Sequence, residues 1–213
     1  MFINSQPFLI IISSPSGAGK STLCRMIIQN DPLIKISTSV TTRKKRPQEI
    51  DGQHYHFISK NEFDQSAKNG EFLEYADVFN HHYGTPKKMV ADELANGNCV
   101  LFDIDWQGAR QIKEKFDQDS VTSIFILPPS LAELERRLRA RSSDPENIVQ
   151  NRMKKARDEI SHFDEYDFVL INDDLNNSYQ KIRAIIEAKR ILRYKKSDIK
   201  NFVSQLINNP NNA

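Results

Sequence analysis

The chain has 213 residues, which is enough for one well-packed α/β domain with an inserted lobe and too few for two complete enzymes. Thirty basic and 28 acidic side chains leave a net charge of +2, which argues against a dedicated nucleic-acid-binding protein. Two cysteines without metal-ligand spacing, and the lack of an apolar run near ~20 residues, argue against a zinc site, a disulfide framework and a membrane span, so we expect a soluble protein of the reducing cytoplasm.

Short apolar runs predict the strands of a parallel sheet that is buried on both faces. In chain order these runs are Phe8–Ile12, Cys99–Ile104, Val121–Leu127 and Phe168–Ile171. The first run has no basic leader and continues directly into a glycine-rich segment, so we expect a core strand there and not a signal peptide. Because helical patterns lie between the runs, the sequence predicts an α/β sandwich.

Helix signals occupy the intervals between these strands. The predicted helix starts are, in chain order, Lys20, Ser59, Thr85-Pro86, Ser130, Asp144-Pro145 and Leu175. Ser59 with Glu62, and Ser130 with Glu133, are predicted capping boxes, in which each side chain satisfies a backbone N–H of the other residue.

One segment interrupts the alternation of strands and helices. Residues 35–97 carry Thr/Ser-rich, aromatic and basic stretches, which predict an inserted substrate lobe within a single domain. The expected division is a core of residues 1–34, 98–136 and 153–207, a lobe of 35–97, a lid of 137–152 and a frayed polar tail of 208–213. The sequence leaves the formation of a homo-oligomer undecided, because the amphipathic C-terminal segment shows no recognisable interface pattern.

Residues 13–22, SSPSGAGKST, are typical of a phosphate-binding loop between a strand and a helix. Small residues let the backbone N–H groups wrap phosphate oxygens, and the following helix adds its positive N-terminal dipole. Lys20 can reach the outer phosphates of a nucleoside triphosphate, and the Ser21 hydroxyl can hold Mg²⁺. The full pattern has glycine where this chain has Ser14, and a turn that only joins strand to helix is the alternative. The expected ATP-binding residues of the loop are Ser14, Pro15, Ser16, Gly17, Ala18, Gly19, Lys20, Ser21 and Thr22.

Further motifs follow the loop in order. They are Ser39–Pro47, Asp51–Tyr55, Glu74, His82–Thr85, Phe102–Gly108, Ile124–Ser130 and Ile171–Asp174. With these motifs the chain resembles the guanylate kinase family over nearly all of residues 7–195. The resemblance implies a three-layer P-loop nucleoside monophosphate kinase fold with a parallel core sheet, an inserted NMP-binding lobe and an arginine-bearing lid. It also implies the transfer of a phosphoryl group from ATP to GMP, and to dGMP, with Mg²⁺.

The resemblance assigns the acceptor site as well. The anionic oxygens of a monophosphate suit guanidinium forks and phenol hydroxyls. The resemblance gives this role to Arg43, Arg46, Tyr55 and Tyr83. The Watson–Crick edge of guanine presents N–H donors that a carboxylate accepts, whereas adenine presents an unprotonated N1 that a carboxylate repels. The implied base readers are Glu74 and Asp105, with the hydroxyls of Ser39 and Thr85.

These acceptor residues also have structural alternatives. Residues 43–46 could be a solvated basic loop, and Glu74 could lie on the solvent face of an alternating strand. Tyr55 and Tyr83 could be half-buried packing residues.

The metal ligands are expected at the end of an apolar strand. Phosphate-loop enzymes place a carboxylate near Mg²⁺ at that position, so Ser21 and Asp103 are the expected ligands. A helix cap is the alternative for Asp103 and for Asp105.

A cluster of arginines at 136–141 precedes a further arginine. Charge must reach the migrating phosphoryl group, and water must be excluded, only when both substrates are bound, which an arginine-bearing lid achieves. The resemblance makes Arg137, Arg141 and Arg152 the lid arginines that contact phosphate. An exposed basic helix is the alternative.

The expected catalytic set is Lys20, Arg43, Arg137, Arg141 and Arg152, and the resemblance places Asn172 near the adenine of ATP. No general base is expected, because the acceptor is already a phosphate anion. Two rivals remain, a non-catalytic guanylate kinase-like binding module and a kinase for another acceptor. The retained lysine and arginines argue against the first rival, and Glu74 with Asp105 argues against the second.

Overall fold

The computed structural model describes residues 5–47, 49–78, 80–141 and 146–208, with the backbone alone at Arg141 and Asn147. The strands are β1 (Leu9–Ser13), β2 (Ile34–Ile36), β3 (Val40–Thr41), β4 (His56–Phe57), β5 (Phe72–Val78), β6 (His81–Pro86), β7 (Cys99–Asp103), β8 (Val121–Leu127) and β9 (Phe168–Ile171). The helices are α1 (Lys20–Asn30), α2 (Lys60–Lys68), α3 (Lys87–Ala95), α4 (Trp106–Lys115), α5 (Leu131–Arg141), α6 (Glu146–Ile160), α7 (Leu175–Leu192) and α8 (Lys196–Asn208). The predicted helix start at Asp144-Pro145, and the tail after residue 208, lie outside the described residues.

Five parallel strands form the core sheet, in the order β2, β7, β1, β8, β9. The predicted parallel sheet is confirmed, and β1, β7, β8 and β9 lie where the apolar runs placed them. β2 was not predicted, because it has only three residues and the exposed Lys35 interrupts its apolar pattern. Ile12 on β1 pairs with Asp103 on β7, so the loop after β1 and the acidic end of β7 meet at one edge of the sheet.

β1 alternates its side chains between two apolar cores, as the period of a strand requires. Ile10 and Ile12 face a core that α1, α5, α6 and α7 cover, whereas Leu9 and Ile11 face a second core against α3 and α4. Each buried isoleucine or leucine contributes about 1.5–3 kcal/mol, so this strand anchors both cores. The sheet lies between two helical layers, which confirms the predicted three-layer fold.

A second sheet, in the order β4, β3, β6, β5, lies in the inserted segment. Phe63 of α2 stacks on Phe72 with 4.7 Å between ring centroids, and with Val40 they form a small separate core. The pairing of β5 with β6 is irregular between Phe72 and Glu74, and Phe72, Leu73 and Glu74 are all buried in succession. The alternative that Glu74 lies on a solvent face is therefore wrong.

One helix start and one capping box differ from the prediction. Thr85 lies inside β6 and is buried, and Pro86 is the N-cap of α3. The Ser130 hydroxyl accepts from the Glu133 N–H at 3.1 Å, but the Glu133 carboxylate binds arginines of α5. This capping box is therefore only half formed, because Arg136 and Arg137 of the same helix bind the Glu133 carboxylate in place of the Ser130 N–H.

The other capping box is confirmed at α2. The Glu62 N–H donates to Ser59 Oγ at 3.3 Å, and the Ser59 N–H donates to Glu62 Oε2 at 2.7 Å. The starts of α1 at Lys20 and of α7 at Leu175 are also as predicted. α8 was not predicted as a separate helix, and none of its residues is buried.

Two elements within the predicted lobe range pack on the core. Lys35 and Ile36 of β2 pair with β7, and Val90 of α3 lies in the apolar core beside the sheet. The second sheet itself spans residues 40–86.

Candidate active site

The loop between β1 and α1 has the backbone that a phosphate cradle needs. Gly17 and Gly19 have φ of 96° and 100°, which glycine adopts without strain. A Cβ on Gly19 would lie 2.4 Å from Asn172 Nδ2, so this position excludes any side chain. Among the described residues, Asn80 is the sole non-glycine with positive φ, so Ser14 needs no glycine conformation. Its hydroxyl donates to the Pro15 carbonyl at 3.0 Å.

Lys20 and Ser21 meet Asp103 at the first turn of α1. Lys20 Nζ lies 2.5 Å from Asp103 Oδ1 and donates to the Ile104 carbonyl at 3.1 Å, while Ser21 Oγ donates to Asp103 Oδ2 at 3.0 Å. Burial alone would lower the pKa of the Lys20 ammonium, but the Asp103 carboxylate outweighs burial and the pKa lies above its ordinary value. Lys20 is therefore a fixed positive charge beside the loop.

The two expected metal ligands are thus in contact with each other. A hydroxyl and a carboxylate oxygen are hard donors of the kind Mg²⁺ prefers, and Mg²⁺ keeps most of its ligands as water and substrate phosphate. Among the described residues, no group of three or more His, Cys, Asp or Glu side chains could hold a metal ion by itself. Ser21 and Asp103 therefore fit Mg²⁺ that arrives with a nucleotide.

Three of the four predicted base readers form a buried cluster. Glu74 is 3% exposed, and Thr85 Oγ1 donates to its Oε1 at 2.6 Å. Ser39 Oγ lies 3.4 Å from Thr85 Oγ1. Burial raises the pKa of the Glu74 carboxyl to about 7, the Thr85 hydroxyl opposes this rise, and the charge of Asp105 adds to it. The cluster presents acceptor oxygens in a site with little water.

Asp105 serves as a helix cap in this structure. Its Oδ1 accepts from the Gly108 N–H at 3.0 Å, and its Oδ2 accepts from Gln107 Nε2 at 3.1 Å, at the N-terminus of α4. The cap alternative therefore holds for Asp105, whereas Asp103 is engaged by Lys20 and Ser21.

The predicted phosphate grip is partly assembled. Arg43 Nε donates to the Tyr83 hydroxyl at 3.3 Å, and Arg43 Cζ lies 5.5 Å from the centroid of the Tyr55 ring. The Tyr55 and Tyr83 rings meet edge to face at 5.8 Å. The Arg43 side chain is only 13% exposed, so the solvated-loop alternative is wrong for Arg43, whereas the Arg46 side chain is exposed.

Glu49 is a site residue that the sequence reasoning missed. It accepts from Arg43 Nη2 at 2.6 Å, from Arg43 Nη1 at 3.0 Å and from the Arg46 N–H at 2.8 Å. The guanidinium therefore meets a carboxylate in the fork geometry that a phosphate would use. The available signal was a single acidic residue that ends a strongly basic segment.

The lid arginines differ in what holds them. Arg137 Nε donates to Glu133 Oε1 at 2.8 Å, and its Nη2 donates to the Asn172 carbonyl at 3.3 Å. Asn172 is 4% exposed, and its Nδ2 donates to the Ala18 carbonyl of the loop at 2.7 Å. Arg152 lies half-buried on α6, and the side chain of Arg141 lies outside the described residues.

A second missed residue contacts the loop from α6. The Ser16 N–H donates to Glu159 Oε2 at 3.2 Å, across 143 positions of the sequence. No local spacing connects two residues so far apart, so the sequence alone gave no signal for this contact.

The two halves of the site are within electrostatic reach of each other. Burial raises the pKa of Tyr55 in the lobe, Asp103 beside the loop raises it further, and Lys20 lowers it. The glycine-rich loop and the arginine–tyrosine cluster, which lies on the same sheet as the buried Glu74 carboxylate, are thus close to each other. This combination defines a P-loop enzyme of the nucleoside monophosphate kinase class.

Comparison with known proteins identifies the family. The guanylate kinase profile matches residues 6–189. Guanylate kinases of Sphingopyxis alaskensis and Rhodopseudomonas palustris strain HaA2 are 48% and 45% identical to this chain, each over 96% of it and over 93% and 92% of their own lengths. The crystal structure of guanylate kinase from Anaplasma phagocytophilum superposes with a TM-score of 0.74 at 36% identity, over 89% of both chains. The chain belongs to the guanylate kinase family, as its motifs predicted.

Proposed function

We propose that this enzyme transfers the γ-phosphoryl group of ATP to GMP, and to dGMP, giving ADP and the corresponding diphosphate. The observation that carries the choice of base is the buried Glu74 carboxylate, bonded to Thr85 and close to Asp105. Each charge-assisted hydrogen bond from guanine would be worth about 1.5–3 kcal/mol, so two of them supply discrimination on the order of 10² to 10⁴. Adenine, cytosine and uracil offer no matching pair of donors to two carboxylates.

The acceptor phosphate is held by the arginine–tyrosine grip of the lobe. Arg43, Tyr55 and Tyr83 are already within contact distance of each other, and Arg46 lies on the exposed rim. The Glu49 carboxylate must give up part of the Arg43 fork when the phosphate arrives, because one guanidinium cannot serve both bidentately.

The donor phosphates are held by the loop amides and by Lys20. Ser21 and Asp103 would hold Mg²⁺, which when bound neutralises charge on the donor phosphates. The attacking group is a phosphate anion that needs no general base, so catalysis consists of positioning and charge stabilisation by Lys20, Arg43 and the lid arginines Arg137, Arg141 and Arg152.

Closure of two mobile parts completes the site in this proposal. The second sheet of the predicted lobe, at residues 40–86, forms the moving acceptor part and residues 137–152 form the lid, and together they exclude water and so suppress wasteful ATP hydrolysis. Asn172 supports the donor side through its bond to Ala18, next to the position proposed for the adenine.

The cell compartment proposed for this enzyme is the reducing cytoplasm. Cys24 and Cys99 are free and buried, which agrees with a reducing cytoplasm. In the described part of the chain, no helix combines the length and apolarity needed to cross a membrane.

The test is ADP production from Mg-ATP with GMP, dGMP, AMP, CMP or UMP. We expect turnover with the two guanine nucleotides alone, and a loss of several orders of magnitude in kcat with Lys20→Ala. Comparable rates with another base would favour a kinase for a different acceptor. Tight GMP binding by the wild type without turnover would instead favour the binding-module alternative.

A further inference from the structure

One amide of the phosphate loop is already occupied by a carboxylate. The Ser16 N–H donates to Glu159 Oε2 at 3.2 Å, and Glu159 belongs to α6, far from the loop in sequence. The N–H groups of such a loop otherwise turn toward phosphate oxygens. An internal anion therefore lies in the cradle that the donor nucleotide would use.

Glu159 and a phosphate group compete for this position. One N–H cannot donate fully to two anions, and two negative charges within a few ångströms repel each other strongly where water is scarce. The surroundings of Glu159 are mixed: Lys20 and Lys155 attract its carboxylate, and Asp105 repels it. Burial raises the pKa of Glu159 and the Ser16 N–H opposes the rise, which agrees with a carboxylate that is held inside the site.

The helix that carries Glu159 also carries a lid arginine. Val149, Met153 and Ala156 of α6 are buried in the core, so they fix which side of the helix faces the sheet. Arg152 and Glu159 are both half-buried and lie seven residues apart, which places them two turns apart on the same side of α6. A movement of α6 away from the loop would therefore carry Arg152 and Glu159 together.

With ATP taken as the donor, as the proposed function states, we propose that Glu159 is a positioning residue that holds α6 on the empty phosphate loop and yields the Ser16 N–H to a donor phosphate. ATP binding then releases α6, and Arg152 moves with the helix toward the bound nucleotide. The rival is a permanent brace, in which Glu159 keeps its bond to Ser16 while ATP is bound.

The two cases differ in ATP affinity. The experiment is calorimetric titration of the enzyme with Mg-ATP in the absence of GMP, for wild type, Glu159→Gln and Glu159→Ala. We expect both variants to bind Mg-ATP about tenfold more tightly than wild type, which corresponds to ~1.4 kcal/mol, because no internal anion has to be displaced. Asp158→Asn is the matched control: it removes one negative charge from the exposed neighbouring position of α6, and it should leave ATP affinity unchanged.

Melting temperatures independently distinguish the proposed releasable contact, called the latch below, from the permanent brace. If Glu159 is a latch, Glu159→Gln lowers the melting temperature of the nucleotide-free enzyme, and saturating Mg-ATP removes the difference from wild type. Unchanged or weaker ATP binding by both Glu159 variants, or a melting deficit that persists with ATP, would overturn the latch. Failure of the proposed function would look different, because the wild type itself would then not bind Mg-ATP or not phosphorylate GMP.

Discussion

Glu74 combines burial, a single hydroxyl partner and a nearby like charge, and so keeps its proton far above the ordinary pH range of a carboxylic acid. Its pKa is about 7, against an ordinary value of 4.5. In the proposed complex a guanine edge needs an ionised acceptor at this position, whereas burial favours the neutral acid. Base recognition is therefore coupled to the loss of a proton near neutral pH.

GMP binding should strengthen as the pH rises. Between pH 6 and 8 Glu74 changes from mostly protonated to mostly ionised, so we expect its contribution to lower the Kd for GMP by about tenfold. Calorimetric titration across this range measures the change, and Glu74→Gln is the control, since it retains only the titration of the GMP phosphate. Equal pH slopes for the variant and the wild type would show that Glu74 does not read the base.

The stability of the folded enzyme depends on pH in the opposite direction to GMP binding. Between pH 4.5 and about 7 the folded enzyme binds a proton at Glu74 that the unfolded chain has released. The free energy of unfolding therefore falls as the pH rises through this window, and Glu74→Gln should lack that part of the fall.

At single positions, the sequence predicted the site residues whose signals lie close together along the chain. The loop from Ser14 to Thr22 and the carboxylate of Asp103 could be found because strand, turn and helix signals are contiguous. Glu49 and Glu159 could not, because their meaning depends on partners that only the folded chain brings near. The burial of Glu74 could not be predicted either, because the alternation of polar and apolar residues in β5 does not indicate the irregular pairing between Phe72 and Glu74.

Among the elements, long apolar runs were predicted well and short or composite ones were not. β8 and β9 begin and end as their sequence indicates, while β2 has only three residues and needs β7 to define it. Thr85 reads as a helix cap in sequence, but the pairing of β6 with β5 retains it as a partner of Glu74. Tertiary pairing thus overrode a local capping signal.

The first turn of α4 carries a glycine that the base-reading cluster requires. A Cβ on Gly108 would lie 2.5 Å from Glu74 Oε2, although its backbone is helical. Alanine in a helix interior is about 0.5–1 kcal/mol more favourable than glycine, which offsets part of the cost of displacing Glu74, so Gly108→Ala should lower the melting temperature only slightly. We expect the KM for GMP to rise at least tenfold while the KM for ATP stays constant, measured by steady-state kinetics.

A second substitution tests the cause of this effect. Glu74→Asp shortens the acid by one methylene and makes room for the new methyl group, so the Glu74→Asp/Gly108→Ala double variant should recover part of the GMP affinity relative to the sum of the single effects. Wild-type KM for GMP in Gly108→Ala would contradict the requirement for an open space at this position.

Across the whole molecule, the two proposed nucleotide sites come from two different sheets. The donor loop belongs to the core sheet, whereas Glu74, Arg43 and Tyr83 belong to the second sheet. The charges that link Tyr55 to Lys20 and Asp103 show how near the two sites are. The sequence predicted both parts, but only the assembled molecule shows that they form one electrostatic unit.

The C-terminal helix contributes little to this unit. No residue of α8 is buried, and it exposes large apolar side chains such as Phe202 and Leu206. Removal of residues 196–213 should therefore change the melting temperature by less than about 2 °C, and GMP phosphorylation should stay at the wild-type rate. Thermal unfolding and a coupled ADP assay measure the two quantities.

A slightly longer truncation is the matched control. Removal of residues 193–213 also deletes Arg193, whose side chain donates to the carbonyls of Asp119 and Pro7. This variant should melt at least 4 °C lower, because the part-buried Pro7 carbonyl and the exposed Asp119 carbonyl lose their donor and the Gln6 N–H loses the Arg193 carbonyl. A large melting loss in the shorter truncation would show that α8 supports the fold.

The bond from Asn172 to the Ala18 carbonyl spans 154 positions of the chain. A ribosome delivers the phosphate-loop sequence early, but it delivers Asn172 only after most of the protein has emerged. A nascent chain that stops short of β9 therefore has the loop residues without the contact that shapes them. Because that contact is missing, we expect ATP to bind and stabilise the chain only after Asn172 has emerged.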